Sequence, residues 1–170
     1  CFFYISFGQT KQTANRPYLI KSAAYWTYPV LTAQEAEYLA PYGLIIIELD
    51  NWVNNRSSLA RIKEINPNAK LICYTNPMEF FSPMGDDRPT QKKWAELIDE
   101  NYQKWQLKTA NGEPAIFWPG MTMLNLSAAC PTYNIPRHGN VNYGQWMAQK
   151  LLAILADTIW DGYFMDNGGG

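Results

Sequence analysis

The chain has 170 residues and a net charge of −1, which suits one domain of ordinary size and gives no electrostatic basis for binding nucleic acid or an acidic membrane. Apolar residues make up 47%, enough for a sizeable core, and no stretch is long and apolar enough to span a bilayer. Aromatics reach 15%, with seven Trp and eleven Tyr, many beside Pro, Asn or Gly; such rings stack on sugar faces, although any single one also suits a core.

Residues 1–8, Cys1-Phe2-Phe3-Tyr4-Ile5-Ser6-Phe7-Gly8, read as the end of a signal-peptide apolar core, with a small-x-small pattern before a cleavage point near Gln9. A lipid-modified Cys1 and an ordinary first strand are the other readings. A signal remnant implies a secreted, periplasmic or cell-surface protein. Residues 9–17 are polar and read as a flexible lead-in. Tyr18 to Tyr28 carries the first strand signal, with Ala23, Ala24, Tyr25 and Trp26 at its end and Pro29 stopping the ladder.

Thr32 with Glu35 three residues on is a capping box, and Ala33, Ala36, Leu39 and Ala40 give the helix an apolar side. Leu44 to Asp50 is the strongest strand: β-branched, nearly continuous, and followed by Asn51 and Trp52. Ser57 or Ser58 is the expected cap of the next helix, whose Leu59, Ile62 and Ile65 recur every three residues. Lys70 to Asn76 is a third strand, ended by Pro77, and a polar and aromatic loop containing Glu79 follows. Thr90 caps a helix with Trp94, Leu97, Ile98 and Trp105 in a stripe.

Leu107 to Pro136 reads as irregular, with an Asn111-Gly112 turn, an aromatic loop at Ile116-Phe117-Trp118-Pro119-Gly120, and a short extended piece at Met123 to Leu126. A loop this long inside a domain is usually functional. Asn142 or Tyr143 starts the last helix, which buries Trp146, Met147, Leu151, Ile154, Leu155 and Ile159. Gly162 then releases the chain into Tyr163-Phe164-Met165, a brief apolar strand ending at Asp166 and Asn167.

The alternation of strands and helices implies a parallel α/β sheet. No Gly-x-Gly-x-x-Gly or Walker sequence follows a strand, which favours a partial (β/α)8 TIM barrel of about four βα units over a nucleotide-binding sheet. Four strands leave open edges, so residues 18–170 are expected to be the N-terminal half of a longer barrel, truncated after strand four, with the missing C-terminal half of the same chain as its partner.

Cys1, Cys73 and Cys130 are too few and scattered for a disulfide framework or zinc site, though a Cys73–Cys130 bridge stays open. His138 is the single histidine, which argues against a Ser-His-Asp triad or a multi-histidine metal centre. No cofactor and no metal are expected.

Ligands of parallel α/β proteins bind at the carboxyl ends of the strands, where Asp166 falls; capping a turn is its competing role. Three stretches, Leu44 to Trp52, Trp118 to Ser127 and Trp160 to Asn167, resemble the hypothetical glycosyl hydrolase family numbered fifteen, and more distantly the α-amylase and α-galactosidase barrels. The last carries an Asp-Gly-x-x-x-Asp-Asn pattern similar to that family's fourth-strand end. The resemblance implies a carbohydrate substrate and Asp166 as a catalytic carboxylate, with a second acid from a later strand.

Glycoside cleavage needs one protonated and one ionised carboxyl group around an oxocarbenium-like centre. Asp166 is the candidate nucleophile or charge stabiliser, and Asn167 would hold it or bond a sugar hydroxyl. Asp50 and Glu79 are further acids near strand ends, each equally suited to an ordinary salt bridge or turn. Tyr25, Trp26, Trp52, Asn76 and Trp118 fall on the same expected rim as substrate-binding candidates, with Trp26 and Trp52 equally suited to the core. The expected activity is therefore that of a glycosidase on an extracellular poly- or oligosaccharide, the alternative being a non-catalytic carbohydrate-binding barrel.

Overall fold

The β-branched run Leu44-Ile45-Ile46-Ile47 needs pairing on both edges and cover on at least one face, and the fold supplies both. The structure, a computed structural model, describes residues 22–81, 102–117, 119 and 121–166. In chain order the elements are β1 (Ala23–Trp26), α1 (Ala33–Leu39), β2 (Leu44–Glu48), α2 (Asp50–Asn54), α3 (Arg56–Ile65), β3 (Lys70–Thr75), β4 (Glu79–Phe81), α4 (Tyr102–Trp105), β5 (Met121–Met123), β6 (Tyr133–Ile135), β7 (Gly139–Val141), α5 (Tyr143–Leu155) and β8 (Gly162–Met165). Strands β1, β2, β3 and β8 form a four-stranded sheet in that order, and all three pairings are parallel. This is the parallel α/β sheet expected from the alternation of elements.

Two-residue alternation divides this sheet into unlike faces. Ile45, Ile47, Leu71 and Cys73 are fully buried and join Leu39, Leu59, Ile62, Leu151, Ile154 and Trp160 of the helical layer in one core. The opposite face carries Tyr25, Leu44 and Phe164, all substantially exposed. Among the described residues the helices thus pack on one side, while the other side exposes Tyr25, Leu44 and Phe164 around a buried centre of Glu48, Ile72 and Tyr74.

The capping box expected at Thr32 forms, and a second one, not foreseen in the sequence, opens α5. Thr32 accepts the Glu35 amide while Glu35 returns to the Thr32 amide, and Asn142 and Gln145 make the same reciprocal pair at α5. At α3 the expectation fails. The N-cap is Asn55, not Ser57 or Ser58, and Asn55 makes no side-chain capping bond; its Nδ2 donates to the carbonyl of Pro29 and to Asn51 Oδ1.

The region expected to be irregular contains paired strands. β4 pairs antiparallel with β5, and β6 with β7 through a turn in which Arg137 and Gly139 both take positive φ. This excursion docks on α5: the Tyr143 hydroxyl donates to the carbonyl of Pro77 at 2.7 Å, and Trp105 packs 5.5 Å from Trp146. The bridge left open between Cys73 and Cys130 is not formed; both are buried free thiols. The signal remnant, the lead-in and the helix expected from Thr90 through Leu97 and Ile98 lie outside the described residues.

At the amino-terminal edge, Asp161 joins β3 to α3. It accepts from Lys63 at 2.5 Å, from Lys70 at 2.8 Å and from the Leu71 amide at 3.0 Å. Burial pushes its pKa up, but these donors outweigh it and hold the carboxyl below its ordinary value. A depressed carboxyl pKa stabilises the fold above the unfolded value and loses that contribution as pH falls through the folded one. Asp161→Asn should therefore cost about 2–3 kcal/mol at neutral pH. Urea unfolding at pH 7 and pH 3 checks this: the gap between parent and variant should narrow at the lower pH, and equal midpoints at pH 7 would show that the contact contributes nothing.

Candidate active site at the carboxyl edge of the sheet

The register places Glu48 of β2 beside Tyr74 of β3, and Tyr74 beside Phe164 of β8. These three share a face with Tyr25, which lies two positions before the level of Glu48 on β1. The three rings form one group. Tyr25 meets Tyr74 edge-on at 5.6 Å and Phe164 at 6.1 Å, while Tyr74 and Phe164 stack at 5.9 Å.

Asp166 closes this group. Its amide continues the ladder by donating to the carbonyl of Thr75 at 2.9 Å, which fixes the backbone one residue beyond β8. The Tyr74 hydroxyl donates to Asp166 Oδ2 at 2.8 Å, and the carboxylate remains half-buried. Burial pushes the Tyr74 phenol far above its ordinary pKa, and Asp166 and Tyr25 push it further. Tyr74 is thus a neutral donor that orients Asp166 at any pH the fold survives.

Glu48 was not among the residues selected from sequence. It is 2% exposed, and its Oε1 has no hydrogen-bond partner among the described residues. Burial first, then the charge of Asp50, raises its pKa to about 8 against a smaller opposing effect of the Leu49 amide. The signal that could have found it is its place: a lone charged side chain inside an apolar run, where a buried polar group is the informative observation.

Asp50 itself starts α2, buried beside Glu48. Next to it the Asn51 amide donates to the carbonyls of Tyr28 at 2.7 Å and Glu48 at 3.3 Å, tying the loop after β1 to the end of β2. Trp26 lies on the helix-covered face, opposite to Tyr25; its indole N–H donates to the carbonyl of Val30 at 3.1 Å. Trp52 also packs against the core, and its indole donates to Asp157 Oδ2 at 2.8 Å, where Arg56 binds as well. Both indole N–H groups therefore serve the protein's own acceptors. Asn76 is buried, and its Oδ1 accepts from the Met78 amide at 3.3 Å. The backbone of Glu79 begins β4. Trp118 and Asn167 lie outside the described residues.

The sequence matches no protein-family model and no curated protein. Among the described residues no group of three or more His, Cys, Asp or Glu is arranged to hold a metal ion. The strand ends instead bring together two carboxyl groups in different surroundings. Glu48 is desolvated and favours its neutral form, whereas Asp166 is half-exposed and accepts a hydrogen bond. Contrasting environments of this kind assign acid and base roles to a pair of carboxyls.

Proposed function

We propose that this chain is part of a (β/α)8 glycoside hydrolase acting on an extracellular poly- or oligosaccharide, with Asp166 as nucleophile or charge stabiliser. The observation that carries the reading is the Tyr74–Asp166 hydrogen bond at the carboxyl edge of a parallel sheet, inside a partly exposed group of Tyr25, Tyr74 and Phe164. Aromatic rings offer apolar faces to the C–H surfaces of a sugar. A carboxylate held among them is suited to balance positive charge at an anomeric carbon. The barrel reading is supported by the open aromatic face and by the two edge strands β1 and β8, which further parallel strands would cover.

The intact protein and its Asp166→Asn variant should be screened on a panel of polysaccharides. Sugar release is expected from the parent and a loss of at least about 10³-fold from the variant, with substrate binding retained. Equal turnover by both would remove Asp166 from the chemistry. Binding without turnover by the parent would identify a carbohydrate-binding barrel instead.

A further inference from the structure

Glu48 is the group that the preceding reading leaves without a task. It ends β2 on the face shared by Tyr25, Tyr74 and Phe164, with one carboxyl oxygen sealed from solvent and unpartnered among the described residues. A carboxyl in that position is costly to the fold in either protonation state, and an amide or apolar side chain of the same size would fill the space more stably. Among the described residues the titratable groups around it are Tyr25 from β1, Cys73 and Tyr74 from β3, Asp50 from α2, and Asp166 beyond β8. All of these are acids, so none of them supplies positive charge to an ionised Glu48, and burial with the Asp50 charge favours the neutral form. Asp166 lies across β3 from it. Strands β2 and β8 flank β3, and Asp166 stands two residues beyond the level of Glu48, so the backbones from which the two acids extend are offset by about two strand spacings of ~4.8 Å across the sheet and by ~6.6 Å along it.

We infer that Glu48 is the proton donor of this site, the second carboxyl group working opposite Asp166 on one glycosidic bond, in place of the acid that the resemblance implies from a later strand. This rests on the glycoside-hydrolase reading above. Glu48 gives its proton to the glycosidic oxygen as the bond from that oxygen to the anomeric carbon breaks, and the leaving sugar departs as a neutral alcohol. Asp166 balances the positive charge left on the anomeric carbon. Water then bonds to that carbon and yields its proton to the Glu48 carboxylate, which restores the acid. Tyr25, half-exposed on the edge strand, is the ring that turns aside to admit the substrate, a rotation of the kind exposed side chains make within nanoseconds.

The test compares the intact protein with Glu48→Gln and Asp166→Asn on an unactivated oligosaccharide and on the dinitrophenyl glycoside of the same sugar, whose leaving group needs no proton. Glu48→Gln should lose about 10²–10⁴-fold on the oligosaccharide and stay within about tenfold on the dinitrophenyl substrate. Asp166→Asn should lose both. A folded Glu48→Gln that matches the parent on both substrates, or loses both equally, overturns the role of Glu48 and leaves Asp166 untouched. If that variant does not fold, the parent's pH profile decides. A fall in kcat/KM above pH about 8 on the oligosaccharide, absent with the dinitrophenyl substrate, is expected, and the same fall on both overturns the inference. A parent that turns over no glycoside overturns this inference together with the reading beneath it.

Discussion

Glu48→Gln should make the protein more stable, and more so as pH rises. The Glu48 carboxyl has a pKa near 8 in the fold, against 4.5 for an unperturbed glutamate. Between those values the folded chain binds more protons at this position than the unfolded chain, so the group's contribution is fully present below pH ~4.5 and is lost as pH climbs towards 8. At about 1.4 kcal/mol for each tenfold change in proton affinity, the whole loss approaches roughly 4–5 kcal/mol, with about 3 kcal/mol gone by pH 7. Glutamine has nearly the same shape and cannot ionise. Parent and variant should therefore have similar urea midpoints near pH 4.5 and diverge in the variant's favour up to pH 8–9. Parallel pH dependences in the two proteins would mean that Glu48 titrates normally and is not desolvated as the structure has it.

A stability gain at that position has a functional corollary. Residues that strain a fold and persist are concentrated at sites where the strained state does chemistry, and relieving them stabilises the protein at the expense of activity. The combination expected of Glu48→Gln, more stable and less active on unactivated substrates, separates a working acid from a packing residue. Asp161, at the other edge of the same sheet, gives the contrast. Its carboxyl has Lys63, Lys70 and the Leu71 amide as donors, so removing its charge weakens the fold.

The two edges also mark what a linear sequence can reveal. Leu44 to Asp50 was legible as a buried strand because four consecutive apolar residues, three of them β-branched, suit nothing else as well, although the strand ends at Glu48 and Asp50 opens α2. Thr32 was legible as a cap because its partner stands three residues away, and the start of the last helix at Asn142 or Tyr143 was legible without its cap. Asp166 was legible as a strand-end acid from local order alone. Glu48 and Tyr74 were not, because their importance lies in the register: Tyr74 matters by lying between Glu48 on one strand and Phe164 on another, a relation spanning more than a hundred residues. The start of α3 was misread for a similar reason, since Asn55 opens the helix without a side-chain cap and is held by donating to Pro29 and Asn51, residues of the preceding loop and helix. Strands β4 to β7 each run three residues, too short for a two-residue alternation to stand out from loop composition.

That excursion between β3 and α5 is where a core substitution should have its largest effect. Trp146 is 1% exposed, with Trp105 centred 5.5 Å away, Tyr143 at 6.4 Å and His138 at 6.5 Å, and the Lys150 ammonium 5.1 Å from its ring centroid. It thus joins α5 to α4 and to the β6–β7 turn. Trp146→Ala should cost about 3–5 kcal/mol, because the rings around it sit on separate elements and cannot all collapse into the vacated space. Leu152→Ala, on the same helix but 66% exposed, should change stability by no more than about 0.5 kcal/mol. Urea unfolding of the two variants beside the parent measures the difference, and hydrogen exchange locates it. Loss of amide protection in Trp146→Ala should be greatest over residues 102–117 and 133–141, while the Ile45 and Ile47 amides of the parallel sheet stay protected. Uniform loss across the sheet would show instead that the excursion and the sheet unfold as a single unit, in which case the aromatic cluster around Trp146 holds up the carboxyl edge together with everything else.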